Sequence, residues 1–163
     1  VDSVNVYDEE NETNIDIKDP DYLNKIKYKV RASVERTTKG NLKLNLSLPI
    51  LSIDGGEMGD INREILNKFK SRYEAVKEQA DALENKFTYK VTYNTYESML
   101  NGKRVVSFTF YERIIDDMKG EDTTYKLYGV TVDLATKKIL KQDYPRYYLP
   151  LLSQTFYKTH LII

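Results

Sequence analysis

Two runs of strict apolar–polar alternation, one stretch of three-and-four spacing, and three more alternating runs follow one another along this chain. That order constrains the fold more than any other feature of the sequence. In the first run Ile26, Tyr28, Val30, Ala32 and Val34 alternate with Lys27, Lys29, Arg31, Ser33 and Glu35, the pattern of a strand with one face in water. Thr37-Thr38-Lys39-Gly40-Asn41 supplies a turn, and Leu42, Leu44, Leu46, Leu48 and Ile50 then alternate with Lys43, Asn45, Ser47 and Pro49. The two runs predict an antiparallel hairpin. Pro49 has no N–H for a neighbouring strand, which places this end of the strand at an edge or exit.

Asp54-Gly55-Gly56-Glu57-Met58-Gly59-Asp60 closes the second strand and opens a helix. Asp54 or Asp60 is the expected N-cap, with acids gathered at the positive end of the helix dipole. Ile61, Ile65, Leu66, Phe69, Tyr73, Val76, Ala80, Leu83 and Phe87 recur at helical spacing, predicting a helix over residues 60–86 that is roughly 40 Å long at 1.5 Å per residue. The apolar set runs for fewer than four heptads between two strand regions, which favours a helix lying on a sheet over a coiled-coil arm.

Phe87, Tyr89, Val91 and Tyr93 open the next strand, and beyond the Asn101-Gly102 turn Val106, Phe108, Phe110 and Glu112 alternate with Ser107, Thr109 and Tyr111. Asn-Gly between two such runs is a strong hairpin signal. The polar loop at residues 116–122 leads to Tyr128, Val130, Val132 and Leu134, and a short piece at 139–143 returns through the turn at 135–138. The tail from Pro145 reads as a short apolar helix interrupted by Pro150. The expected fold class is α+β: an antiparallel sheet of about five strands with one long helix packed on one face, in the order β-β-α-β-β-β, and the other face wet. Residues 1–22, rich in acids, form a flexible lead-in, and residues 23–163 a single domain.

Charge and chemistry narrow the function. Lysine plus arginine and aspartate plus glutamate are 25 each, so no global field draws the protein to nucleic acid or to an anionic membrane. Lys27, Lys29 and Arg31 form a basic stripe, but the aromatic residues that would stack on bases alternate onto the opposite face, which argues against nucleic acid. With no cysteine there is no disulfide or thiol chemistry. With His160 the only histidine, a histidine-based metal site or triad has little to build on. Asp16, Asp19 and Asp21 lack the order of an EF-hand loop, and the acids around residues 54–59 would repel a phosphate. No nucleotide, hydrolase or metalloprotease motif is present, so neither cofactor nor catalytic residue is assigned. A carboxylate pair drawn from Asp116, Asp117, Glu121 and Asp122 is the remaining route to an enzyme, a glycan hydrolase. Fourteen tyrosines against five phenylalanines suit a one-sided sheet, or a face that binds sugar or protein. No apolar run is long enough to span a membrane, and a chain that starts at Val1 without a signal is expected to begin inside a longer gene.

Several segments together carry a family resemblance: LNLSLPIL, the helix start INREILNKF, YKVTYN, VVSFTFYE and above all YGVTVDLATKKIL. Over about two thirds of its length the chain resembles the domain of unknown function shared by the anti-sigma factor RsiV and the peptidoglycan deacetylase PdaC. It departs from the family at residues 116–122, where a Gly-Ala-His element is common, and at Lys137, where the family has a loop glycine. Residues 144–163 stand as the remnant of a companion domain. The resemblance implies a Gram-positive cell-envelope protein outside the membrane, anchored or secreted, with any membrane anchor outside this chain. It also implies a non-enzymatic binding or sensing domain whose partner is lysozyme, or an accessory domain that binds cell-wall glycan. The loop acids Asp116, Asp117, Glu121 and Asp122 are the expected contact residues, because a basic partner is steered by exposed carboxylates.

Overall fold

The computed structural model describes residues 5–8, 13–16 and 21–140. Its elements run β1 (Asn5–Asp8), β2 (Thr13–Asp16), α1 (Tyr22–Lys25), β3 (Tyr28–Lys39), β4 (Leu42–Ile53), β5 (Gly56–Glu57), α2 (Gly59–Leu83), β6 (Phe87–Leu100), β7 (Lys103–Asp116), β8 (Glu121–Asp133) and β9 (Lys138–Ile139). Strands β1 and β2, inside the acidic lead-in, pair with each other and, among the described residues, with no other strand. The other seven form one sheet in the order β3-β4-β6-β7-β8-β9, with β5 paired to β4.

This corrects the expected fold class. The domain is mostly β, and its sheet is a curled, mixed half-barrel of seven strands rather than an antiparallel sheet of about five. The mixed character arises at β4 and β6, which run parallel from Leu42 opposite Phe87 to Leu46 opposite Val91. Chain lengths explain it. The twelve residues of β4 advance about 40 Å at 3.3 Å each, and the twenty-five of α2 return about 38 Å at 1.5 Å each. The chain therefore starts β6 at the end where β4 began, and Phe87 N–H donates to Asn41 O at 3.0 Å.

One face of α2 carries Ile61, Ile65, Phe69, Tyr73 and Ala80 into the core. Phe69 packs on Phe110 of β7 with ring centroids 5.0 Å apart and edge-on against Tyr128 of β8 at 5.8 Å. Leu66 and Leu83, expected on the buried stripe, are exposed. The N-cap expectation is also corrected. Met58 holds the N-cap position with no side-chain cap, Asp60 lies in the first turn, and Asp54 (φ +49) forms the β4–β5 turn with Gly55.

Beyond Leu46 strand β4 leaves β6, and Pro49 lies in that stretch, where its missing N–H costs nothing. Two residues on, the side-chain amide of Asn62 completes Leu51. Leu51 N–H donates to Asn62 Oδ1 at 2.9 Å, and Asn62 Nδ2 donates to Leu51 O at 3.1 Å. Near the start of β7, Arg104 donates to the carbonyls of Leu23 and Ile26, pairs with Glu97, and places its guanidinium over Tyr28. It thereby ties the segment before β3 to the sheet.

No helix among the described residues is long and apolar enough to cross a membrane. The expected tail helix from Pro145, His160, and most of the last expected strand lie outside the described residues.

Candidate functional site

The β7–β8 turn carries the four acids singled out in the sequence, and the fold gives them different tasks. Asp116 ends β7 opposite Glu121, the first residue of β8. It is only 5% exposed. Its Oδ1 accepts from the N–H groups of Met118 (2.9 Å) and Lys119 (3.2 Å), and its Oδ2 accepts from Asn85 Nδ2 at 3.2 Å. An aspartate binding the backbone two and three residues on is an Asx turn, so this carboxylate shapes the hairpin and joins it to the segment after α2. Asp117 is exposed and accepts from Thr88 Oγ1 at 2.8 Å. Asp122 is exposed in a forked pair with Arg113, whose Nη2 is 3.1 Å from its Oδ1. Glu121 is exposed.

Beside this turn an open cleft of about 390 Å³ runs between the C-terminal half of α2 and the ends of β6, β7 and β8. Val76, Leu83 and Phe87 give it apolar wall, while Asn85, Asp116 and Lys119 give it polar groups. Asp116 is the one carboxylate among its described lining residues. A glycoside hydrolase needs two carboxylates flanking the bond to be cut, and this cleft does not bring together the pair considered from the sequence. Among the described residues no group of three or more histidines, cysteines, aspartates or glutamates is placed to hold a metal ion.

A second polar cluster lies under α2, where the sequence reading singled out no residue. Glu112 of β7 is fully buried, 0% exposed. Arg72 of α2 grips both its oxygens, with Nη2 2.7 Å from Oε1, and the Tyr89 hydroxyl donates to Oε2. The Tyr128 hydroxyl is 3.5 Å from Oε1. Lys68 Nζ and the Arg72 guanidinium both lie over the Tyr128 ring, at 4.5 and 5.3 Å. Burial, reinforced by the Glu112 carboxylate, pushes the Tyr128 phenol up to about 12, and burial with the hydrogen bond to Glu112 raises Tyr89 well above the ordinary phenol range. Burial and the neighbouring Arg72 lower Lys68. Every oxygen of Glu112 is engaged by the protein itself, so this cluster joins helix to sheet. The signal for it in the sequence was a glutamate in register with Val106, Phe108 and Phe110 on an apolar strand face.

No family model and no curated protein matches the chain. Among solved structures it is similar to a DUF3298 family protein from Pseudomonas aeruginosa PAO1, with 11% sequence identity and a TM-score of 0.37 over 77% of this chain. The chain spans 62% of the length of that structure. DUF3298 is also the domain shared by RsiV and PdaC.

Proposed function

We propose that this chain is a non-enzymatic binding domain of a cell-envelope protein, displayed outside the membrane, whose partner is a cationic protein of the lysozyme type. The observation that carries the reading is the β7–β8 turn. Asp117, Glu121 and Asp122 are exposed there beside a cleft whose wall holds Asp116 and whose rim holds Leu83, 60% exposed. Exposed carboxylates steer a basic partner over distances near the Debye length, about 8–10 Å at physiological salt. The cleft and Leu83 offer an apolar anchor at the centre of the contact, where binding energy concentrates. The sequence resemblance to RsiV-type domains supports the same partner.

Titration calorimetry with hen lysozyme at two salt concentrations tests this. Binding at about micromolar Kd or tighter that weakens with salt is expected. The triple variant Asp117→Asn, Glu121→Gln, Asp122→Asn should weaken it and flatten its salt dependence. Asp116 is left intact because its carboxylate holds the turn. An absence of binding, or an unchanged affinity and salt slope in the triple variant, overturns the proposal and turns the search toward cell-wall glycan.

A further inference from the structure

The sheet face turned away from α2 carries a tyrosine cluster. Phe108, Phe110 and Glu112 of β7 point toward the helix, so Thr109 and Tyr111 point away from it. Register sets Asn94, Thr109 and Gly129 in line across β6, β7 and β8, with Tyr96 one step along β6 and Tyr111 one step along β7. Asn94 Nδ2 donates to the Tyr111 hydroxyl at 3.1 Å and lies 3.5 Å from that of Tyr96. Burial raises the Tyr111 phenol, and the Tyr96 and Tyr125 phenols beside it add to the effect. Two phenols thus meet at one amide, with Tyr96 half in solvent, 50% exposed.

Gly129 lies in the middle of β8, exposed, with no heavy atom within 4 Å of where a Cβ would stand. A glycine inside a strand weakens it relative to alanine, and it leaves a hollow in which another molecule can reach the backbone. The rungs that run from Thr92 to Tyr96 and across to their partners on β7 and β8 contain no charged residue on this face.

We propose that this face is a binding site for a neutral oligosaccharide. A pyranose ring is flat and apolar on its C–H faces and edged with hydroxyls. The Tyr96 ring offers a stacking surface, Asn94 and Thr109 offer amide and hydroxyl partners at fixed positions, and Gly129 leaves room for the ring to reach the sheet. Lys90 and Arg113 stand on the next rung of this face, and the central rungs, with no charge to neutralise, favour a neutral ligand. The site goes beyond the lysozyme reading, lies on the sheet face turned away from the cleft, and stands or falls separately.

The chain has no tryptophan to mask its fourteen tyrosines, so tyrosine fluorescence, with Tyr96→Ala as the reference, reports on the cluster. Titration with chitopentaose and with cellopentaose, paired with calorimetry, is expected to give a saturable change for at least one of them that is insensitive to salt. Tyr96→Ala and Gly129→Val should each lower the affinity at least tenfold. Circular dichroism should remain unchanged, since Tyr96 is exposed and a Cβ at residue 129 has no heavy atom within 4 Å. The triple variant of the β7–β8 acids should bind sugar as the parent does. Silence toward both sugars overturns the proposal, and so does binding that survives both Tyr96→Ala and Gly129→Val or that falls with salt.

Discussion

Arg72 of α2 lays its guanidinium along the carboxylate of Glu112, a fully buried residue of β7, and it is the one cation that grips both oxygens. Removing one partner of a buried pair leaves the other charge uncompensated. Arg72→Ala is therefore expected to destabilise the domain by about 3 kcal/mol. The triple variant Arg72→Met, Glu112→Leu, Tyr89→Phe, which removes the charges and the hydroxyl together, should recover most of that loss. Urea unfolding of the three proteins checks it: if Arg72→Ala costs no more than a surface substitution, the pair is not what holds the helix to the sheet.

The same cluster sets an alkaline limit. Burial raises the phenols of Tyr89 and Tyr128, the latter to about 12. A phenol whose folded-state pKa lies above its unfolded value of about 10 adds stability that is complete below that pH. The contribution is lost as pH rises from about 10 through 12. Stability is therefore expected to fall over that window, with part of the tyrosinate absorbance at 295 nm appearing together with the loss of circular dichroism. Phenols that all titrate near pH 10 in the folded protein would contradict this.

Two turn glycines should respond differently to one substitution. Gly40, at φ +60, would place an added Cβ 2.7 Å from Asp81 Oδ1, the same oxygen that accepts from Asn41 N–H. Gly102, at φ +76, has nothing within 4 Å. Gly102→Ala is expected to cost about 1 kcal/mol for its backbone conformation alone. Gly40→Ala should cost distinctly more, because the clash also pushes at the contact between the β3–β4 turn and α2. Thermal melts of the pair give the comparison, and equal losses would show that Asp81 yields freely.

Lys137 stands at φ +59 and Glu84 at φ +50 as the residue after α2, both in the left-handed region. Lys137 occupies the place where the resembled family carries a loop glycine, and its backbone conformation supplies the reason. Lys137→Gly and Glu84→Gly are each expected to stabilise the domain by about 1 kcal/mol, less the extra chain entropy of glycine. Chemical denaturation reads the gain, and a loss at either site would mean that its side chain makes a compensating contact.

Much of the local structure was legible in the residues. Asn101 and Gly102, at φ +50 and +76, form the two-residue turn their dipeptide announces. The alternation from Val106 to Glu112 named the buried face of β7 correctly, Glu112 included. The site was less legible. Asp116 reads like its neighbours in sequence, yet it alone of the four acids is buried and lines the cleft. The grouping of Asn94, Tyr96 and Tyr111 depends on strand register, which a two-residue period does not contain.

The period of the side chains decided by itself where the long strands β3, β4, β6, β7 and β8 and the helix α2 form, because burying one face requires apolar residues at every second position in a strand and at every third or fourth in a helix. Pairing is a different matter, since the same alternation serves a neighbour on either side and in either direction. Val34 shows the consequence. The two-residue turn at Gly40 and Asn41 sets it opposite Ser47 rather than a leucine, and on the edge strand it remains 56% exposed. The parallel pairing of β4 with β6 and the meeting of Arg72 with Glu112 exist only once α2 has carried the chain back along the sheet. Tertiary structure decided them, because the free energy of burial depends on which faces meet in space and not on their order along the chain.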